Sequence, residues 1–203
     1  MEFEFKKNEI VFNRELSNLD KLVLKFVKVL DSQKIDYVII SGYVAILFGR
    51  SRNTEDIDLF IEEMSFEKFS SLWESINETG FECINEFTPK RGYYEYLQNK
   101  TALRFAEKGT FLPNFELKFP HSKINFYSLK NKVCVLLNNE NVNISELELQ
   151  IAFKLKLGSE KDFEDCRHLY NVFKEHLNIS LLKKHISELK VENETERILW
   201  KKD

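Results

Sequence analysis

The chain has 203 residues, 43% of them hydrophobic, enough to bury the core of one substantial domain or of one domain with a smaller helical lobe. Its formal net charge is −3 with both signs scattered, so no global field marks a nucleic-acid coat or a membrane-surface protein. The opening "MEFEFKKNEIVFNREL" lacks a signal-peptide core and no later stretch reaches membrane-spanning length, so a cytoplasmic protein is expected.

In chain order, Leu19, Leu22, Leu24, Val27 and Leu30 fall at helical spacing behind the capping residue Ser17, and this helix is expected to open the fold. "DYVIIS" then reads as a strand stopping at Ser41-Gly42, and "YVAILFG" as a short helix. "DIDLFI", residues 56–61, is a strand that sends Ile57, Leu59 and Ile61 to one face and Asp56 and Asp58 to the other. A helix capped by Ser65 carries Phe66, Phe69, Leu72 and Ile76 and ends at Gly80. "FECINEF" and "TALRFAE" look like strands, with "TPKRGYYEYLQNK" as a loop or ragged hairpin between them.

"NFELKF" alternates as a half-buried strand, with Phe115, Leu117 and Phe119 on one face and Glu116 and Lys118 on the other. "KVCVLLN" predicts one more strand, after which the character changes at "NNENVNIS" and the chain reads as helices from Ser145 onward. Capping boxes are expected at Ser145 with Glu148 and at Ser159 with Asp162, and "ISLLKKHISEL" and "ETERILWKK" as amphipathic helices. The expected fold is α+β, a mixed sheet flanked by helices over 1–140 followed by a helical lobe over 141–203.

Cys83, Cys134 and Cys166 show no CxxC spacing and read as small buried hydrophobes, and the four histidines show no metal spacing. The acid pair is different. Divalent cations that neutralise a nucleoside triphosphate prefer carboxylate oxygens, and Asp56 and Asp58 supply two on one patch. A third acid on a neighbouring strand would complete a two-metal set; Glu116 is the first candidate and Glu107 the second. The Ser41-Gly42 turn opens onto a helix whose free N–H groups favour phosphate, with Gly42 standing 14 residues before Asp56. No GxGxxG follows a strand and no GxxxxGK[ST] occurs, which excludes dinucleotide and P-loop cradles.

Hydrophobic-Ser-Gly, a short helix, then hydrophobic-Asp-hydrophobic-Asp-hydrophobic resembles the signature of the nucleotidyltransferase superfamily, whose turn is ordinarily Gly-[Gly/Ser]. "RNTEDIDL" and "LELQIAFKLKLGSEKDFED" look like the minimal, abortive-infection-type nucleotidyltransferases of prokaryotic toxin–antitoxin systems. The resemblance implies an enzyme that transfers a nucleoside monophosphate from a triphosphate such as ATP, with Mg²⁺ (or Mn²⁺) on Asp56, Asp58 and Glu116. It further implies an RNA end or a protein side chain as acceptor and a cognate antitoxin as partner. Ser41, Gly42, Arg52, Thr54, Lys154, Asp162 and Asp165 would bind the nucleotide, with Lys154 stabilising the developing charge. Helix periodicity puts Lys154 ~20° from Leu147 and on the packed side, whereas Lys156 lies roughly opposite. Asp162 and Asp165 share one helix face, where a capping role competes with a site role. The residues Lys90, Arg91, Lys100, Arg104 and Lys108, interleaved with Tyr93, Tyr94 and Tyr96, read either as an RNA-facing surface or as a solvated loop. A second reading from another class is an inactive scaffold of the same fold that binds nucleotide or a protein partner.

Overall fold

The computed structural model describes residues 2–6 and 8–200. In chain order its elements are β1 (Glu4–Lys6), β2 (Glu9–Phe12), α1 (Asn18–Ser32), β3 (Tyr37–Ile40), α2 (Gly42–Leu47), β4 (Asp56–Ile61) and α3 (Phe66–Glu78). Then come β5 (Phe81–Cys83), α4 (Pro89–Arg91), which continues as irregular helical turns to Asn99, β6 (Leu103–Glu107), β7 (Asn114–Lys118) and α5 (Lys123–Lys130). The chain closes with β8 (Val133–Leu137), β9 (Glu140–Ile144), α6 (Leu147–Leu157), α7 (Glu160–Phe173), α8 (Ile179–Leu189) and α9 (Glu192–Ile198). This is the expected α+β architecture. Among the described residues the strands form one mixed sheet in the order β1-β2-β8-β9-β3-β4-β7-β6-β5, in which β4 and β7 run parallel and β3 and β6 flank them antiparallel. No helix of the described residues is long and apolar enough to cross a membrane.

Alternation separates the sheet's main apolar face from a face that carries the acids at one end and a smaller apolar cluster of Val38, Phe60 and Leu129. Ile57, Leu59, Ile61, Phe115 and Leu117 are fully buried against α1 and α3, where Phe26 stacks on Phe115 at 3.9 Å and Trp73 meets Phe105 edge-on at 5.2 Å. The register sets Ile40 beside Asp58, Asp58 beside Glu116, and Glu116 beside Arg104, so one row of side chains crosses four strands on the opposite face.

Several expectations need correction. Two strands precede α1, because Phe3 and Phe5 alternate out of the charged residues around them and pack with Phe12, Phe48 and Phe173. Segment 89–99 is helical and not a hairpin: Thr88 caps it through Arg91 N–H, Pro89 suits the first turn, and Gly92 lets it settle against Trp73 and Leu103. The polar stretch after β8 is a hairpin into β9, with Asn138 and Asn139 at φ +51° and +66° in its turn and Val142 and Ile144 buried. Helix α5, capped by Ser122, was not anticipated. The capping box at Ser145 does not form; Glu146 is the N-cap residue without a side-chain bond, and the Ser145 hydroxyl donates to Gln150 Oε1 at 2.9 Å instead. The caps at Ser17, Ser65 and Ser159 are present, but the expected box at Ser159 lacks its reciprocal half, because Asp162 accepts from the Ser159 hydroxyl instead of its N–H. The last helix begins two residues earlier than expected, and positions 201 and 202 of the expected span lie outside the described residues.

Cys83 and Cys166 are buried and Cys134 partly so, all unpaired; burial pushes the Cys166 thiol up to about 12, so it behaves as an inert hydrophobe. His185 on α8, 2% exposed, meets Glu146 at the start of α6 and Tyr127 of α5. Its Nε2 lies 2.5 Å from Glu146 and its Nδ1 3.3 Å from Glu188, while Tyr127 of α5 donates to Glu146 at 3.0 Å and presents its ring edge. Burial alone would lower the imidazole's pKa, but the two carboxylates outweigh it and raise it. The native state then holds a proton that the unfolded chain has released, so the contribution is full below pH ~6.5 and is lost as pH rises through the folded value. The unfolding free energy of wild-type protein should fall above pH ~6.5 by at most about 1.4 kcal/mol per pH unit, and His185→Gln should remove that slope in urea titrations.

Candidate active site

Strand β4 begins with Asp56, exposed at the sheet's end, and the next residue on the same face is Asp58. Thr54 donates its hydroxyl to the Asp56 carbonyl at 2.9 Å and approaches Oδ1 at 3.5 Å, fixing the strand's first turn. No cation of the described residues pairs with Asp56. Asp58 Oδ1 lies 2.7 Å from Lys118 Nζ, and the same ammonium lies 2.7 Å from Glu116 Oε2. Arg104 reaches Glu116 Oε1 at 2.8 Å, so both oxygens of Glu116 carry a cation.

Electrostatics separate the two acids. Burial raises the Asp58 pKa, reinforced by Asp56 and Glu116 and only partly offset by Lys118. Burial also acts on Glu116, but Lys118 and Arg104 together overcome it and hold that carboxyl below its usual range. Lys118 is correspondingly raised, Asp58 and Glu116 outweighing its desolvation. Among the described residues no three His, Cys, Asp or Glu side chains come together as a ready metal cluster. Glu107 pairs with Lys25 at 2.9 Å, and β-alternation puts it on the face opposite Arg104, so it does not join this group.

The turn between β3 and α2 explains its reversed order. Ser41 has φ +65° and ψ −129°, a conformation suited to glycine, and Gln150 of α6 fastens both of its backbone groups. Ser41 N–H donates to Gln150 Oε1 at 3.2 Å, and Gln150 Nε2 donates to the Ser41 carbonyl at 2.6 Å. Gly42 is next, and a Cβ there would run into the Arg52 guanidinium and sit 3.3 Å from Thr54 Oγ1. Glycine and hydroxyl have exchanged places, and Arg52 fills the room. Ser41→Gly is therefore expected to raise stability by about 1 kcal/mol, and Gln150→Ala to cost less in that background than in wild type when the cycle is read by thermal unfolding.

Arg52 is held from the helical lobe. Its Nε and Nη2 each donate at 2.9 Å to Asp165 of α7, a bidentate pair in which Asp165 is fully buried. Asp165 also lies 2.9 Å from Lys154 Nζ, and Lys154, 2% exposed, reaches Asp162 at 2.7 Å. Ser159 donates its hydroxyl to Asp162 at 2.6 Å and accepts from its N–H, so the capping and site roles coexist in one residue. Lys154 and Ser159 outweigh burial and keep the Asp162 pKa low. Lys154 thus faces the packed side as periodicity predicts and Lys156 is exposed. Its ammonium is enclosed by two acids, and its visible task is to hold Asp165 under Arg52.

The structure brings Ser41, Gly42, Arg52, Thr54 and Asp56 into contact at one end of the sheet, with Lys154, Asp162 and Asp165 behind them and Asp58 and Glu116 one row along. Sequence reasoning missed Gln150 and Lys118, and set Arg104 among basic residues facing RNA or solvent instead of beside Glu116. Lys118 carried a signal, since residues two apart on a strand share a face with Glu116. Gln150 carried none.

No known protein-family model matches the chain, and no curated protein matches it by sequence. Solved structures do. An antigenic nucleotidyltransferase-like protein from Paracoccidioides brasiliensis superposes with a TM-score of 0.51 at 20% identity, over 92% of this chain and 95% of that one. The antibiotic-resistance factor ANT(2'')-Ia, solved in complex with adenylyl-2''-tobramycin, gives 0.53 at 16% over 85% and 99%. The lincosamide antibiotic adenylyltransferase LnuA, bound to lincomycin, gives 0.50 at 11% over 78% and 99%. The chain has the nucleotidyltransferase fold.

Proposed function

We propose that the protein transfers a nucleoside monophosphate from a nucleoside triphosphate to a hydroxyl group and releases pyrophosphate. The observation that carries this is the meeting of two same-face carboxylates, Asp56 and Asp58, with the Ser41-Gly42 turn, whose glycine lies against Arg52 and Thr54. Among the described residues Asp56 has no cationic partner, and Asp58 keeps one oxygen clear of Lys118, so the pair fits a divalent ion. That ion, Mg²⁺ or Mn²⁺, would neutralise phosphate charge and draw electron density from the α-phosphorus.

The chain's own groups do the rest. The free N–H groups opening α2 and the Arg52 guanidinium receive phosphate oxygens, while Lys154 and Asp165 keep that guanidinium from swinging away. Asp162 fixes Lys154, and Thr54 fixes the start of β4. The acceptor oxygen bonds to the α-phosphorus in line with the departing pyrophosphate, the bond to the β-bridging oxygen breaks, and the hydroxyl proton leaves to solvent. Glu116 serves as the third acid of the row, closing it toward Arg104.

The acceptor we favour is an RNA end or a protein side chain, in keeping with the resemblance to minimal toxin–antitoxin nucleotidyltransferases. Arg104, half-exposed beside Glu116, supplies positive charge beside the carboxylate row. The proposed division keeps 1–140 as the catalytic unit and 141–203 as the lobe supplying Lys154, Asp162 and Asp165, with β9 lying across that boundary. The test offers each of four α-³²P-labelled nucleoside triphosphates with Mg²⁺ to total RNA, lysate protein, an aminoglycoside and a lincosamide. Label on RNA or protein supports the reading; label on an antibiotic moves the acceptor class; no transfer and no nucleotide binding by calorimetry favours the inactive scaffold.

A further inference from the structure

The Asp58–Glu116 pair already contains a cation. Lys118 Nζ stands 2.7 Å from a carboxylate oxygen on each of two adjacent parallel strands, at residues that face one another in register. A bridging cation between two facing carboxylates is the position a second divalent ion would take in a two-metal site. The ammonium is no surface visitor: Lys118 is the last residue of β7, two along from Glu116, so the pleat itself delivers it to that face. Arg104 takes Glu116's other oxygen, so a metal at that acid would have to share each oxygen with a cation or displace one.

Counting formal charge gives the consequence. Asp56, Asp58 and Glu116 sum to −3, and Lys118 and Arg104 to +2, so the row carries −1. One divalent ion at Asp56 and Asp58 brings it to +1, suited to a polyanionic nucleotide. A second would have to evict Lys118 from two short charge-assisted bonds, leaving two divalent ions and Arg104 against the three acids at +2.

We propose that Lys118 is the chain's own substitute for the second metal ion, a positioning residue that bridges Asp58 and Glu116 and limits the site to one divalent cation. This rests on the nucleotidyltransferase reading for its metal. Lys118 acts through Asp58, aiming that carboxylate's other oxygen toward the ion it shares with Asp56. Methionine or glutamine at 118 keeps most of the side-chain volume and removes the charge, whereas arginine retains it.

The experiment is a Mn²⁺ titration of full-length protein in the presence of α,β-methylene ATP, reading unbound Mn²⁺ by its EPR spectrum, with circular dichroism to verify folding. Wild type and Lys118→Arg should bind one Mn²⁺ per chain, and Lys118→Met, or Lys118→Gln if the first is unstable, should bind two. Two ions in wild type, or one in every variant, would overturn the role of Lys118 while leaving the metal reading standing. Binding of no Mn²⁺ by any protein, with or without the analogue, would remove the metal reading and this inference together.

Discussion

Asp56→Ala should lower nucleotidyl transfer by about 10³-fold or more, equivalent to about 4 kcal/mol of transition-state stabilisation, with folding stability changed by no more than ~0.5 kcal/mol. The contrast follows from where the residue sits. Asp56 is exposed at the strand's first position, touches only the Thr54 hydroxyl and anchors no ion pair of the described residues, so its loss leaves no charge buried alone. Asp58→Ala would be a poorer test, because it strips Lys118 of one partner and confounds stability with chemistry. The measurement is single-turnover transfer of α-³²P label beside urea unfolding of the same preparation. Wild-type rates in the variant would remove the metal site from the mechanism. Loss of transfer with nucleotide-dependent partner binding intact would assign catalysis to Asp56 and set aside a purely binding protein.

Asp165→Ala should be the costliest single substitution in the chain's polar interior, about 3–5 kcal/mol by urea unfolding. Removing this buried carboxylate leaves Lys154 with Asp162 alone and Arg52 with no side-chain acid, both at positions largely closed to water. Arg50, 3.8 Å away and paired mainly with Glu164, would add to the unbalanced charge. Asp165→Asn, which keeps the shape and a single acceptor, should cost less. It should still weaken nucleoside triphosphate binding about tenfold in calorimetry, because a neutral amide no longer pins the guanidinium over Gly42. Equal affinity in Asp165→Asn and wild type would mean that Arg52 does not contact the nucleotide.

How much of this was visible in the residues depends on whether a signal was local. The Asp56–Asp58 face follows from β-alternation, the inward Lys154 from helix periodicity, and the caps at Ser17, Ser65 and Ser159 from side chains three residues from the N–H they receive. β1 and β9 were obscured because charged or asparagine residues alternate with their few apolar ones, Phe5 in β1 and Val142 and Ile144 in β9; β1 becomes a strand by pairing with β2, β2 by pairing with the distant β8, and β9 by closing a hairpin on β8. Ser145 has the spacing of a cap, but the hydroxyl went to Gln150, whose amide was already drawn to Ser41 from 109 residues away. Such long-range partners leave no periodic trace.

The exchange at the turn also constrains which neighbouring sequences can work. Ser41, Gly42, Arg52 and Gln150 form one heritable unit, and its members cannot change in arbitrary order. Glycine at 41 can arrive first, since it fits the existing backbone and merely makes Gln150 dispensable. Serine at 42 requires the Arg52 guanidinium to shift, because its Cβ would take that place, and the shift disturbs the pair with Asp165. Glycine at 41 is thus the easier first change and serine at 42 the costlier one, because the second must move a guanidinium that Asp165 holds.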